Sequence, residues 1–142
     1  MTNKYLTLKN IFFCGLTGWC MEICFTAIGS MTRGDLRLLG RTSIWMFPIY
    51  GMAAFIAPMY DKIQHFSVVL RGFIYAVCIM FGEYISGSLL KFFAVCPWDY
   101  SNSLLNINGL VRIDYLPFWF AAGLAFERLL CWQGTKKETS QI

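Results

Sequence analysis

Four long apolar blocks divide the chain, and charged side chains mark most of their edges. The first lies between Lys9 and Arg33, and the second runs from about Ser43 to Tyr60. Arg71 and Lys91 bracket the third, and the fourth extends from about Ile113 to Trp132. Taken as spans 10–32, 43–60, 72–90 and 113–132, they are 18 to 23 residues long. A helix needs roughly 20 apolar residues to cross a hydrocarbon core of about 30 Å. In lipid, backbone N–H and C=O groups must bond within their own segment, which selects helices. Apolar and polar positions alternate too weakly for a barrel of short strands. The pattern therefore predicts an all-α, polytopic membrane protein. It would be a four-helix transmembrane bundle over residues 1–133, with a polar, mobile tail over 134–142.

The first block is too long for the apolar region of a typical secretory signal. It also contains Glu22 and lacks a small-residue cleavage pattern before the next loop, so it reads as a retained span. An even number of spans puts both termini on one side, with Lys4, Lys9, Lys62, Arg71, Arg128, Lys136 and Lys137. Arg33, Arg37, Arg41, Lys91 and Arg112 fall on the other. The larger basic share predicts cytoplasmic termini in a bacterial cytoplasmic membrane, with Cys96 on the far side. Pro48 and Pro58 should kink or unwind the second span, and Pro117 the fourth. The connection from Cys96 to Gly109 is turn-rich, with Pro97, Asn102, Asn106, Asn108 and Gly109. There the Trp98–Tyr100 block should fold back over the bundle, with Asp99 accepting a hydrogen bond from the backbone or from Asn106.

Composition agrees with this picture. Apolar residues make up 57% of the 142 and charged residues 14%, too little polar surface for a small soluble domain. The formal charge of +4 is scattered between apolar blocks. No basic run with interleaved aromatics is present, which argues against nucleic acid as a partner. Of the six cysteines, only Cys96 lies near a loop, and the others read as buried small hydrophobes. Neither a CxxC pair nor a Cys/His cluster suggests a metal, and nothing implies a cofactor.

Two carboxylates lie deep in apolar blocks. An acidic residue at a helix centre costs about 2.5–3.5 kcal/mol on insertion scales, so each needs a partner or a water-filled cavity. Glu22 and Glu83 sit a little past the middle of the first and third spans, which run in the same direction, so they should reach a similar depth. Helical steps from Glu22 meet Gly15, Gly18, Trp19, Thr26 and Gly29, and those from Glu83 meet Ala76, Ile79, Met80, Ser86 and Gly87. Small residues mark helix interfaces in membranes, so both carboxylates should face inward and toward each other. They would bind a cation, a proton or a polar substrate head, or else only fix helix packing.

Other polar residues suggest less. Arg112 and Asp114 read as an interfacial ion pair or as solvated ends of a helix. Glu127 and Arg128 read as snorkelling side chains. Arg33, Arg37 and Arg41 recur at a spacing of four, as a basic edge toward phosphates or a solvated run. The sequence lacks GxxxxGK[ST], HExxH, GxSxG and GxGxxG, so any ATPase driving this protein is another chain.

Glu83-Tyr84-Ile85-Ser86-Gly87, the block Cys96-Pro97-Trp98-Asp99-Tyr100-Ser101, and Asn106 with Gly109 carry a family resemblance. With Gly18-Trp19, Glu22 and Pro48-Ile49-Tyr50-Gly51, they resemble the ABC-transporter type IV (CmpB-like) permease family. The Cys-Pro-Trp-Asp-Tyr-Ser wording, and Trp45 before Ile49-Tyr50-Gly51, are closest to the related transmembrane protein 229 group. The resemblance runs from about Gly15 to Glu127, and Arg112 and Asp114 depart from the family's apolar pattern there. It implies a permease-like transport component, with a separate ATPase subunit or a homo-oligomer as partner.

Glu22 and Glu83 would line the site, with Trp19, Trp98, Asp99, Tyr100 and Asn106 around it and Arg41, Tyr50, Arg112 and Asp114 as secondary candidates. An intramembrane enzyme or lipid-binding protein using the paired glutamates remains open, as does an assembly partner of a larger complex. The pattern points to transport before catalysis.

Overall fold

A computed structural model describes residues 8–139, and within them the chain is mostly helical. The helices are α1 (Leu8–Thr32), α2 (Met46–Gly51), α3 (Ile56–Ile63), α4 (Val68–Phe92) and α5 (Leu116–Thr139). The expected tail therefore begins inside α5, and the helix continues through Thr139. Lys4 and residues 140–142 lie outside the described part.

Two of these helices, α1 and α4, are long and apolar enough to cross a membrane. Apolar side chains cover even their outer faces. On α4, Val69, Phe73, Val77, Phe81, Ile85 and Leu89 are all exposed, one per turn along its whole length. A ridge of this kind is unfavourable in water, at roughly 25 cal/mol for each Å² of apolar surface, and neutral against lipid. The cysteines follow the same rule. None of the six forms a disulfide, and the sequence expectation of buried thiols holds only for Cys14; Cys20, Cys24, Cys78 and Cys131 are exposed on helix surfaces instead.

The second apolar block is broken. Between α2 and α3 the chain tightens into a 3-10 turn over Met52–Phe55, flanked by Pro48 and Pro58. Proline lacks the N–H that an unbroken helix needs and crowds the preceding turn, so the interruption follows from the sequence. Pro117 does not act in this way. It is the second residue of α5, where its N–H would have no intrahelical partner and its fixed φ suits the first turn. The fourth helix is therefore unkinked there, and starts after a 3-10 turn over Ile113–Tyr115.

Packing is pairwise and antiparallel. Along α1 and the segment that follows, Thr26 meets Arg41, Glu22 meets Thr42, Trp19 meets Ser43, Gly15 meets Phe47 and Ile11 meets Gly51. Gly18 lets the Tyr50 ring lie against the α1 backbone; a Cβ there would fall 2.1 Å from Tyr50 Cγ. In the second pair, Gly123 of α5 receives Tyr75 of α4, and Gly72 of α4 receives Phe120. The core where α1 and α2–α3 meet α4 and α5 contains Cys14, Ala54, Ile56, Tyr75, Phe126 and Leu130.

The loop between α4 and α5 holds a small hairpin that the sequence pattern did not suggest. Strands β1 (Asn106–Ile107) and β2 (Val111–Arg112) pair antiparallel around Asn108 and Gly109, both at positive φ. Asn-Gly is a strong hairpin turn signal, because both positions tolerate the left-handed region.

Candidate functional site

Between the α1–α2 pair and the α4–α5 pair, at the end carrying the long loop, lies a cavity of about 450 Å³. Glu22 lines it from α1 and Glu83 from α4, so the two carboxylates share one space. The loop closes one side with Trp98 and Tyr100, and Arg41, Thr42 and Tyr50 come from the second segment. Helix α5 adds Phe118 and Trp119, and the 3-10 turn before it adds Tyr115.

The two carboxylates are held differently. Glu22 is half-buried, and its Oε2 accepts a 2.7 Å hydrogen bond from the Thr42 hydroxyl, with the Tyr50 hydroxyl also on it. Glu83 is only 7% exposed. Its Oε1 takes a long 3.4 Å bond from the Tyr100 hydroxyl, while Oε2 is buried without any hydrogen-bond partner. The indole N–H of Trp119 points toward Glu83 but closes no bond of ordinary geometry, so it too is unsatisfied. Buried polar atoms are nearly always paired, so an orphan acceptor beside an orphan donor sets this part of the cavity apart.

The loop is fixed by its own hydrogen bonds. Trp98 donates from Nε1 to the Leu110 carbonyl at 2.9 Å, and its ring lies over Gly87, where a Cβ would fall 2.9 Å from it. Tyr100 N–H donates to the Gly109 carbonyl at 2.8 Å. Lys91 and Tyr84 of α4 hold Asn108 from below. Burial, with Glu83 beside it, pushes the Tyr100 hydroxyl well above its ordinary pKa, so it stays a donor.

Five of the residues singled out from sequence stand outside the cavity. Trp19 donates to the Ser43 carbonyl at 3.0 Å and packs against Phe47, fastening α1 to the second segment. Asp99 is exposed and accepts from the Ser101 backbone N–H at 2.9 Å and from its hydroxyl. The backbone alternative is thus the one realised, and these bonds hold its carboxyl below the usual range. Asn106 does not cap the site. Its side chain bonds the Ser101 and Ser103 carbonyls and the Gly109 N–H, so it is spent on the hairpin. Arg112 and Asp114 form the expected ion pair, with Arg112 stacked 4.2 Å above the Tyr115 ring, one layer out from the lining. Arg33, Arg37 and Arg41 share no face: Gly34 turns the chain at φ +83°, Arg37 pairs with Asp35, and only Arg41 reaches the cavity.

At the other end of the α4–α5 pair, Glu127 is 5% exposed rather than snorkelling. It accepts two 3.0 Å bonds from Arg71 and one of 2.6 Å from the Tyr75 hydroxyl. Its partner lies 56 positions away, which no local pattern reveals. Thr42 and Trp119 were also missed. Thr42 is a hydroxyl at the head of an apolar block, and Tyr115 with Trp119 forms an i, i+4 aromatic pair at the entry to α5; both were visible signals.

Residues 10–138 match the family described as "Putative ABC-transporter type IV". No solved structure matches the chain. The likeness to the transmembrane protein 229 group rests on the wording of the motifs alone.

Proposed function

The chain belongs to the ABC-transporter type IV family, and from that premise we propose that it is a four-span, permease-like membrane component with a substrate site between its helix pairs. Glu22 and Glu83 are its acceptors, and Arg41 lies at the mouth. Trp98 and Tyr100 cover it from the loop side. One observation carries this reading: the buried Glu83 Oε2, unpartnered and facing a cavity large enough for a small molecule. A buried carboxylate oxygen left without a partner is unfavourable, and a bound cation or donor group relieves it.

The remaining spans would be the broken second segment and α5, with both termini on the cytoplasmic side. Energy from ATP would come from a separate subunit, since the sequence holds no phosphate-binding loop. The exposed ridge of α4 is available to lipid or to another transporter subunit.

Transport requires that the cavity open to each side of the membrane in turn. Ser43, which lines it, can be replaced by cysteine in a chain whose six native cysteines have been changed to serine or alanine. In membrane vesicles supplied with ATP, a membrane-impermeant thiol reagent should modify Ser43→Cys from both faces. Modification from one face only, under every condition, would exclude alternating access.

A further inference from the structure

A second cavity, of about 210 Å³, meets the first at Met46, Tyr50, Glu83 and Trp119. Away from that junction its walls are almost entirely apolar, including Ile49, Ala53, Ile56, Ile79 and Phe126, between α2–α3 and α4–α5. Its volume matches one alkyl segment rather than two. The first cavity has a different chemistry. Two carboxylates face it, and Phe25, Tyr50, Trp98, Tyr100, Tyr115 and Trp119 surround them.

Aromatic faces together with buried carboxylates recognise organic cations, because the ring quadrupole and the carboxylate both attract positive charge and neither requires a full hydration shell. Glu83 lies where the two chemistries meet. It is more than nine-tenths buried, has one unpartnered oxygen and lines both spaces.

We propose that the site takes a single-chain cationic amphiphile, with its ammonium or quaternary ammonium head among the aromatic rings beside Glu83 and its alkyl chain in the adjoining apolar cavity. This rests on the substrate site proposed above and adds the class of ligand. Anionic amphiphiles are disfavoured, since they would bring a third negative charge to two carboxylates that face a single cation, Arg41. Neutral ones would leave Glu83 uncompensated.

The test is calorimetric titration of the full chain in lipid nanodiscs, with empty nanodiscs subtracted to remove partitioning. The probes are dodecyltrimethylammonium, tetramethylammonium, dodecyl maltoside and dodecyl sulfate. Dodecyltrimethylammonium should bind about tenfold or more tighter than tetramethylammonium, and the two uncharged or anionic probes should show no saturable binding. Glu83→Gln, which keeps the shape and removes the charge, should weaken both ammonium probes about tenfold.

Gly82 lines the apolar cavity, and a Cβ there has open space, its nearest neighbour being Met52 Cε at 4.0 Å. Gly82→Leu should therefore fill that cavity, abolish the advantage of the long chain and leave tetramethylammonium unchanged.

If the two ammonium probes bind equally, each dependent on Glu83, the amphiphile is overturned while the polar site stands. If dodecyl sulfate or dodecyl maltoside binds as tightly, or binding survives both Glu22→Gln and Glu83→Gln, the amphiphile and the polar site fall together. The comparison of head groups uses the unmodified chain, so it decides even where a variant fails to fold.

Discussion

Two buried glutamates of the same chain should respond in opposite ways to the same substitution. Glu127 has its hydrogen-bonding capacity met by Arg71 and Tyr75, and removing its charge strands the Arg71 guanidinium, whose side chain is only 12% exposed. Glu83 is incompletely paired, so neutralising it removes an uncompensated charge. In detergent, Glu127→Gln should lower the melting temperature by roughly 5 °C, whereas Glu83→Gln should leave it unchanged or raise it. Equal losses in the two variants would make Glu83 a structural residue. Asp99 gives a pH test. Its folded-state pKa is depressed, so the stability it contributes is present above about pH 4 and lost as pH falls through the lower folded value. The gap in melting temperature between the native chain and Asp99→Asn should therefore close between pH 5 and pH 2, on the order of the carboxyl range. A constant gap over that interval would mean that Asp99 acts through shape alone.

At the level of elements, α1 is fastened to the second segment by glycines, each matched to one partner. Gly18→Ala should displace Tyr50, with an overpacking cost of about 1–3 kcal/mol. Because Tyr50 reaches Glu22, it should also weaken ligand binding. Gly29→Ala is the control. Its Cβ would meet only Arg33 Nη1 at 3.6 Å, and thermal melts should place it within about 0.5 kcal/mol of the native chain.

This selectivity explains what was legible in the sequence. Gly15, Gly18 and Gly87 could be recognised as interface residues from helical spacing alone, and with them the inward orientation of Glu22 and Glu83. Gly29 fitted the same spacing but has no partner, since the chain turns away at Gly34. Asn108-Gly109 carried a hairpin signal that a reading tuned to helices passed over. The aromatic lining from Phe118 and Trp119 was not singled out, because Trp and Phe in an apolar block give no clue to the face they occupy.

For the whole molecule, the orientation proposed above is open to direct test. Cys96 is half-buried and donates to the Trp98 carbonyl, which makes it a poor reporter. Asn102 is exposed at the tip of the same loop. In a chain without its native cysteines, Asn102→Cys should react with an impermeant thiol reagent applied to intact cells. Reaction only after permeabilisation would invert the proposed orientation.

The pairwise packing also bears on how the chain is made. Glu22 finds Thr42 and Tyr50 in the segment synthesised directly after it, so the first helical pair can leave the ribosome with its acid already satisfied. Glu83 must wait for Tyr100 and Trp119, which follow later in the chain. For that interval the growing protein holds an unshielded carboxylate near the middle of α4. The slow, error-prone moment in its biosynthesis should thus come after α4 is made and before the loop and α5 follow, and it is there that a chaperone would find its grip.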